Sequence, residues 1–200
     1  MTQGSATGIL RHEHEAILRM VGATEEVAGL LDRGERVSPA ILTGLLEFFQ
    51  FFANQCHHGK EEQLLFPLLE KRGLPGQSLR VMLMEHDRGR WLIGELAAAT
   101  TAYEAGDAAG RPCWAVAARG YARLLREHIF KENNVLFRIA DRLLDQADQE
   151  ELAAAFEKIE EEKLGHGTHQ RLHALMDKLL AELTQTRNSR QEFEAPCGRK

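Results

Sequence analysis

His57-His58-Gly59-Lys60-Glu61-Glu62-Gln63-Leu64-Leu65-Phe66 returns in altered form as His128-Ile129-Phe130-Lys131-Glu132-Asn133-Asn134-Val135-Leu136-Phe137. Aligned without gaps, the two stretches share the first His, the Lys, the first Glu, one Leu (Leu65 and Leu136) and the Phe. On an α-helix, residues four apart lie one above the other on a single face. His57 with Glu61, and His128 with Glu132, therefore each stack an imidazole on a carboxylate, and both members of a pair can reach one metal ion. Having the pair twice predicts two equivalent helices that supply ligands to a shared metal centre.

Outward from this repeat, helical periodicity dominates and no stretch alternates like a strand for long. The pattern predicts five long helices. The first covers about 7–31 and stops at Asp32-Arg33-Gly34. Ser38-Pro39 supplies a cap and a first-turn proline to a second, which runs to about Arg72. After the turn Gly73-Leu74-Pro75-Gly76, a third spans about 78–104; Gly106-Asp107 and Gly110-Arg111-Pro112 lead into a fourth that ends near Leu144. Asp148, with Glu151 three residues on, reads as a capping box for a fifth, to about Thr186. Pro67 inside the second helix predicts a kink just past the His57/Glu61 turn. Short loops between long helices favour antiparallel neighbours, hence an all-α, up-down antiparallel four-helix bundle with an additional C-terminal helix. The domain is placed at 1–187, with its metal-binding core at about 7–145 and the extra helix at about 148–187. The polar stretch 188–200, with Pro196 and Gly198, is expected to be a disordered tail.

The bulk numbers narrow the function classes. A chain of 200 residues with 44% hydrophobic and 28% charged residues builds one soluble domain with a substantial core. A net charge of -5 gives no electrostatic reason to expect nucleic acid or an anionic membrane as partner. No apolar run approaches the roughly 20 residues that span a bilayer, and the first residues do not read as a secretory signal. Cys56, Cys113 and Cys197 are few and far apart, which fits a reducing cytoplasm and no disulfide framework.

Histidines are spread over the first four predicted helices. His14 lies among Leu10, Ile17, Leu18 and Val21 on the apolar face of the first, whereas His12 points elsewhere and is expected to be exposed. His86, near Leu79, Met82 and Ile93, is on the buried side of the third. With His57, Glu61, His128 and Glu132, the inward set is four imidazoles and two carboxylates. Nitrogen and carboxylate donors suit iron, manganese and zinc, whereas calcium wants oxygens alone. Buried without a metal, such a set would cost several kcal/mol. Two carboxylates that each bridge two cations, with two imidazoles per cation, would make a dinuclear site with vacant positions for a small gas or peroxide. Only the repeat selects His57/Glu61 over the shifted pair His58/Glu62, because His58 matches Ile129 and Glu62 matches Asn133. His58 and Glu62 are then second-rank or surface residues, and the shifted pair stays open as the alternative.

Together, Leu10-Arg11-His12-Glu13-His14, the His57–Pro67 stretch, Glu85-His86-Asp87-Arg88-Gly89-Arg90 and Glu127 to Phe137 resemble the hemerythrin-like (HHE cation-binding) family. The resemblance covers residues 10 to 138. It implies a four-helix bundle of hemerythrin type around two non-haem irons (Fe2+/Fe3+), bridged by carboxylates and an oxo or hydroxo. Glu61 and Glu132 would bridge, and His14, His57, His86 and His128 would be terminal ligands. It implies O2, NO or H2O2 sensing, storage or detoxification, with a peroxidase or NO-reducing enzyme and an iron-donor repair protein as alternatives. Oxygen carriers of the family have a further His one turn after the third-helix His; here Arg90 stands there, so one imidazole fewer is expected. Tyr121, two turns before His128, is a candidate extra ligand or gate, although a core aromatic with a hydrogen-bonded hydroxyl is the commoner role. Cys56 is expected to pack as a small hydrophobe. His166, His169 and His173 are expected on a solvated helical face, and Arg88 and Arg90 to pair with acidic neighbours.

Overall fold

The computed structural model describes residues 4–165 and 167–194. Among these residues there is no strand, and six helices account for nearly all of the chain. Helix α1 is Ala6–Asp32, begun by Ser5, whose side chain accepts from the Gly8 N–H. Helix α2 covers 39–71, with Pro39 in its first turn. Two stretches of it, Phe49–His57 and Glu61–Leu65, are wound as π-helix, and Pro67, which has no N–H to give, stands two residues past the end of the second. Helix α3 is Gly76–Glu104. Helix α4 covers 110–143 and contains a third π stretch, Glu132–Leu136. Helices α5, Gln146–Leu164, and α6, Thr168–Glu194, follow.

The single C-terminal helix read from periodicity is thus two. Gly165 and Gly167 lie at φ +80° and +78°, the left-handed region that stops a helix. The capping box is also three residues earlier than predicted: Asp145 accepts from the Asp148 N–H, and Asp148 accepts from the Asp145 N–H. Helix α6 continues through 188–194, so the polar stretch expected as tail begins as helix; Pro196 and Gly198 lie outside the described residues.

The buried apolar side chains form two separate clusters. The larger joins Ile17 to Leu31, Ile41 to Ala53, Leu92 to Ala99 and Trp114 to Ile129, closed over by Leu172, Met176, Leu179 and Leu183 of α6. The smaller joins Ala6, Leu10, Leu65 to Leu69, Leu79, Met82, Leu136 to Ala140 and Phe156. Between the two, α1, α2, α3 and α4 each carry a short buried polar stretch: His14; His57 to Glu61; His86; His128 and Glu132. The site is a polar layer clamped between two dry ones. Cross-helix bonds fix the register: Thr7 to Asp141 and His14 to Asn133 join α1 and α4, Glu62 to His86 and Thr43 to Glu104 join α2 and α3, and Trp114 to Thr100 joins α4 and α3. No helix of the described residues is long and apolar enough to cross a membrane.

Candidate metal centre

The polar layer brings its donors together in two groups. His14, His57, Glu61 and Glu132 form one; His58, Glu61, His86 and His128 form the other; in each, the donor atoms lie within 4.8 Å of one another. Both carboxylates face both groups. Glu61 Oε1 is 3.6 Å from His57 Nε2, and its Oε2 is 3.4 Å from His86 Nε2. Glu132 Oε2 is 3.2 Å from His14 Nε2, and its Oε1 is 3.0 Å from His128 Nε2. Every sequence-predicted ligand is therefore in the layer: His14, His57, Glu61, His86, His128 and Glu132.

His58 joins them, which the repeat did not anticipate. It is buried and stacks on His86 with ring centroids 3.8 Å apart. Successive side chains of an α-helix diverge by about 100°, so neighbouring histidines ordinarily point apart. The wider winding that ends at His57 reduces the turn per residue, and both imidazoles face the interior. The layer thus holds five imidazoles, and the shortfall expected from Arg90 is made up by His58. Arg90 itself turns away to Asp87 and Glu62, at 2.7 and 2.9 Å.

Four of the five imidazoles are aimed by a hydrogen bond at Nδ1, and the pattern repeats between helix pairs. Glu13, just before His14, holds His57 at 2.8 Å; Glu85, just before His86, holds His128 at 2.9 Å. Glu62, just after Glu61, holds His86 at 2.7 Å; Asn133, just after Glu132, holds His14 at 2.9 Å. Lys60 bonds Glu13, and Lys131 bonds Glu85. The two halves are one arrangement used twice, and the Glu-His dipeptides at 13–14 and 85–86 were its overlooked signal. Outer carboxylates of this sort fix the tautomer and aim Nε2 inward.

Most of the inner atoms have no partner within the protein; the exceptions, His86 Nε2 and His128 Nε2, lie 3.0 Å apart. His14 Nε2, His57 Nε2, both nitrogens of His58 and all four oxygens of Glu61 and Glu132 are buried without a hydrogen bond. Burial, with Glu132 alongside, pushes the Glu61 carboxyl well above the ordinary range. Burial acts upward on Glu132 as well, but His128 and His14 hold it well below. His57 is pushed down to about 4 by burial and by His14, and His58 is held well below its ordinary range by burial and by its imidazole neighbours. His128 is raised to about 9, because Glu132 and Glu85 outweigh its burial. Orphaned oxygen and neutral imidazole donors at this spacing are what a cation would satisfy, and the N/O set fits iron, manganese or zinc.

Several further predicted positions lie outside this layer. His12 is exposed and 3.3 Å from Glu15. Tyr121 stands edge-on to Phe49 in the larger apolar cluster, with its hydroxyl unbonded, and belongs to neither donor group. Arg88 stacks on Trp91 rather than on an acid. His169 and His173 are half-buried against Phe52, not on a solvated face; His166 lies outside the described residues. A third cluster, Glu13, Cys56 and Glu160, already encloses the Lys60 ammonium.

The uncharacterized proteins Mb2018 of Mycobacterium bovis and Rv1995 of Mycobacterium tuberculosis are each 27% identical over 170 residues, which is 85% of this chain and 66% of theirs. The chain thus spans just under two-thirds of the length of these relatives. The model of the hemerythrin HHE cation-binding domain matches residues 5–140, more than half of the chain. With that match on top of the clustered histidines and glutamates, the chain belongs to the hemerythrin HHE cation-binding family.

Proposed function

We propose that this is a cytoplasmic non-haem di-iron protein that binds or reduces a small diatomic or peroxide (O2, NO or H2O2), in sensing, storage or detoxification. The observation that carries the reading is the convergence of five imidazoles and two carboxylates, most of their inner atoms unpartnered, on two groups that share Glu61. The cross-helix bonds support an up-down antiparallel four-helix bundle of hemerythrin type as its frame. Glu61 and Glu132, each with one oxygen toward either group, would bridge the two irons. His14 and His57 would hold one iron, and His58, His86 and His128 the other. Bound there, iron supplies reversible one-electron chemistry and vacant positions for a small ligand. The half with two imidazoles would leave more room for such a ligand, and a 350 Å³ pocket between α1 and α4 reaches that half's outer edge at His14 and Asn133.

The test is the absorption spectrum of iron-loaded protein, reduced without oxygen and then exposed separately to O2, NO and H2O2. A reversible change with one of them, at two irons per chain, supports the reading. Zinc retained in preference to iron, or no response to any of the three, overturns it.

A further inference from the structure

The two halves of the metal layer are built alike but are not covered alike. Glu85 and Lys131, the outer pair of the His128 half, are partly exposed, at 20% and 37%. The equivalent pair of the other half, Glu13 and Lys60, is buried, with Lys60 at 0% exposure. The difference is Glu160, on the helix α5 that follows the family-matched stretch; it bonds the same Lys60 ammonium that Glu13 does. A continuous chain results: Glu160, Lys60, Glu13, then His57 Nδ1. Glu160 is 24% exposed and lines a 440 Å³ pocket at the turn between α5 and α6, which marks the solvent end of the chain.

We propose that Glu160 is a positioning residue for the His14/His57 metal, so that α5 is a working part of one half of the centre and of that half only. A buried ammonium needs opposite charge around it. With Glu160 present, Lys60 is held between two carboxylates and stays against Glu13, which in turn keeps the His57 ring aimed. Without it, Lys60 has a single carboxylate partner and is drawn toward water, and Glu13 loses its anchor. The His128 half has no such cover and does not depend on α5. The half so secured is the one with fewer imidazoles, where the proposed chemistry would take place; the inference rests on that reading.

The test uses Co(II) as probe on the full chain, with the two binding constants read by chelator competition. Wild type is expected to bind two ions. Glu160→Ala is expected to weaken one of them by up to about 10-fold, at the low end of the range for a direct partner of a metal-bound histidine because it acts through Lys60 and Glu13, and to leave the other unchanged. Glu157→Ala, which removes an exposed charge one turn earlier on the same helix, is expected to change neither. His58→Ala cripples the other half, and in that background the Glu160→Ala effect is expected to persist at the same size. Equal weakening of both ions, an equal effect of Glu157→Ala, or loss of the effect in the His58→Ala background would overturn the assignment while leaving the metal reading intact. Wild type that binds no Co(II) would overturn the metal reading and the inference with it.

Discussion

Glu61 and Glu132 are buried side by side with no hydrogen bond to any of their four oxygens, an arrangement that a cation between them would stabilise. Removing either should therefore remove metal rather than merely weaken packing. Glu61→Ala and Glu132→Ala are expected to lose at least one of two bound ions, whereas His12→Ala, on an exposed residue, is expected to lose none; elemental analysis of purified protein checks this. The imidazoles set the acid and alkaline limits of the metal-free protein. His57 takes its proton only near pH 4 when folded, against about 6.5 when unfolded, so the unfolded state binds more protons in between. Stability then falls as pH drops through that window, and Glu13, held at about 2, adds a loss of the same sign below about 4.5. His128, raised to about 9, acts oppositely: its contribution is complete below about 6.5 and is lost as pH rises to 9. The unfolding free energy of metal-free protein, read from urea melts, should peak near neutrality and fall on both sides, each side by on the order of 1–3 kcal/mol. A flat profile from pH 4 to 9 would contradict these assignments.

At the scale of helices, the turn from α3 to α4 sets the layer's register on that side. A side chain at Gly110 would lie 2.5 Å from the Tyr103 backbone nitrogen, so the two helix ends meet only because residue 110 has none. Gly110→Ala is expected to cost about 1–3 kcal/mol, seen as a lower thermal midpoint, and to disturb the His86–His128 contact at 3.0 Å. Helices α1 to α4 were legible within a residue or two, because proline, glycine and serine mark their ends. The C-terminal segment was misread since its periodicity passes straight through Gly165 and Gly167, where only the sign of φ breaks the helix. The placement of His57, Glu61, His128 and Glu132 in the buried layer could be read from spacing, and that of His14 and His86 from their apolar neighbours. His58 could not, because spacing assumes α-helical winding and its neighbourhood is π-wound. The outer partners Glu13, Glu85 and Asn133 act across helices, a relation that periodicity within one helix does not carry.

For the molecule as a whole, the decisive feature is the separation of the two apolar clusters by a charged stratum. Each cluster draws on α1 to α4, and α5 and α6 divide between them: Leu152 and Phe156 go to the smaller, Leu172 to Leu183 to the larger. Emptied of its ion, the middle of the bundle offers repulsion and unmet bonds where the ends offer cohesion. Calorimetry of metal-free protein is therefore expected to resolve two melting steps, and loaded protein one sharper step at higher temperature. A bound ion in this place is a rivet at mid-height: it turns two oily ends that would come apart separately into a single body that yields all at once.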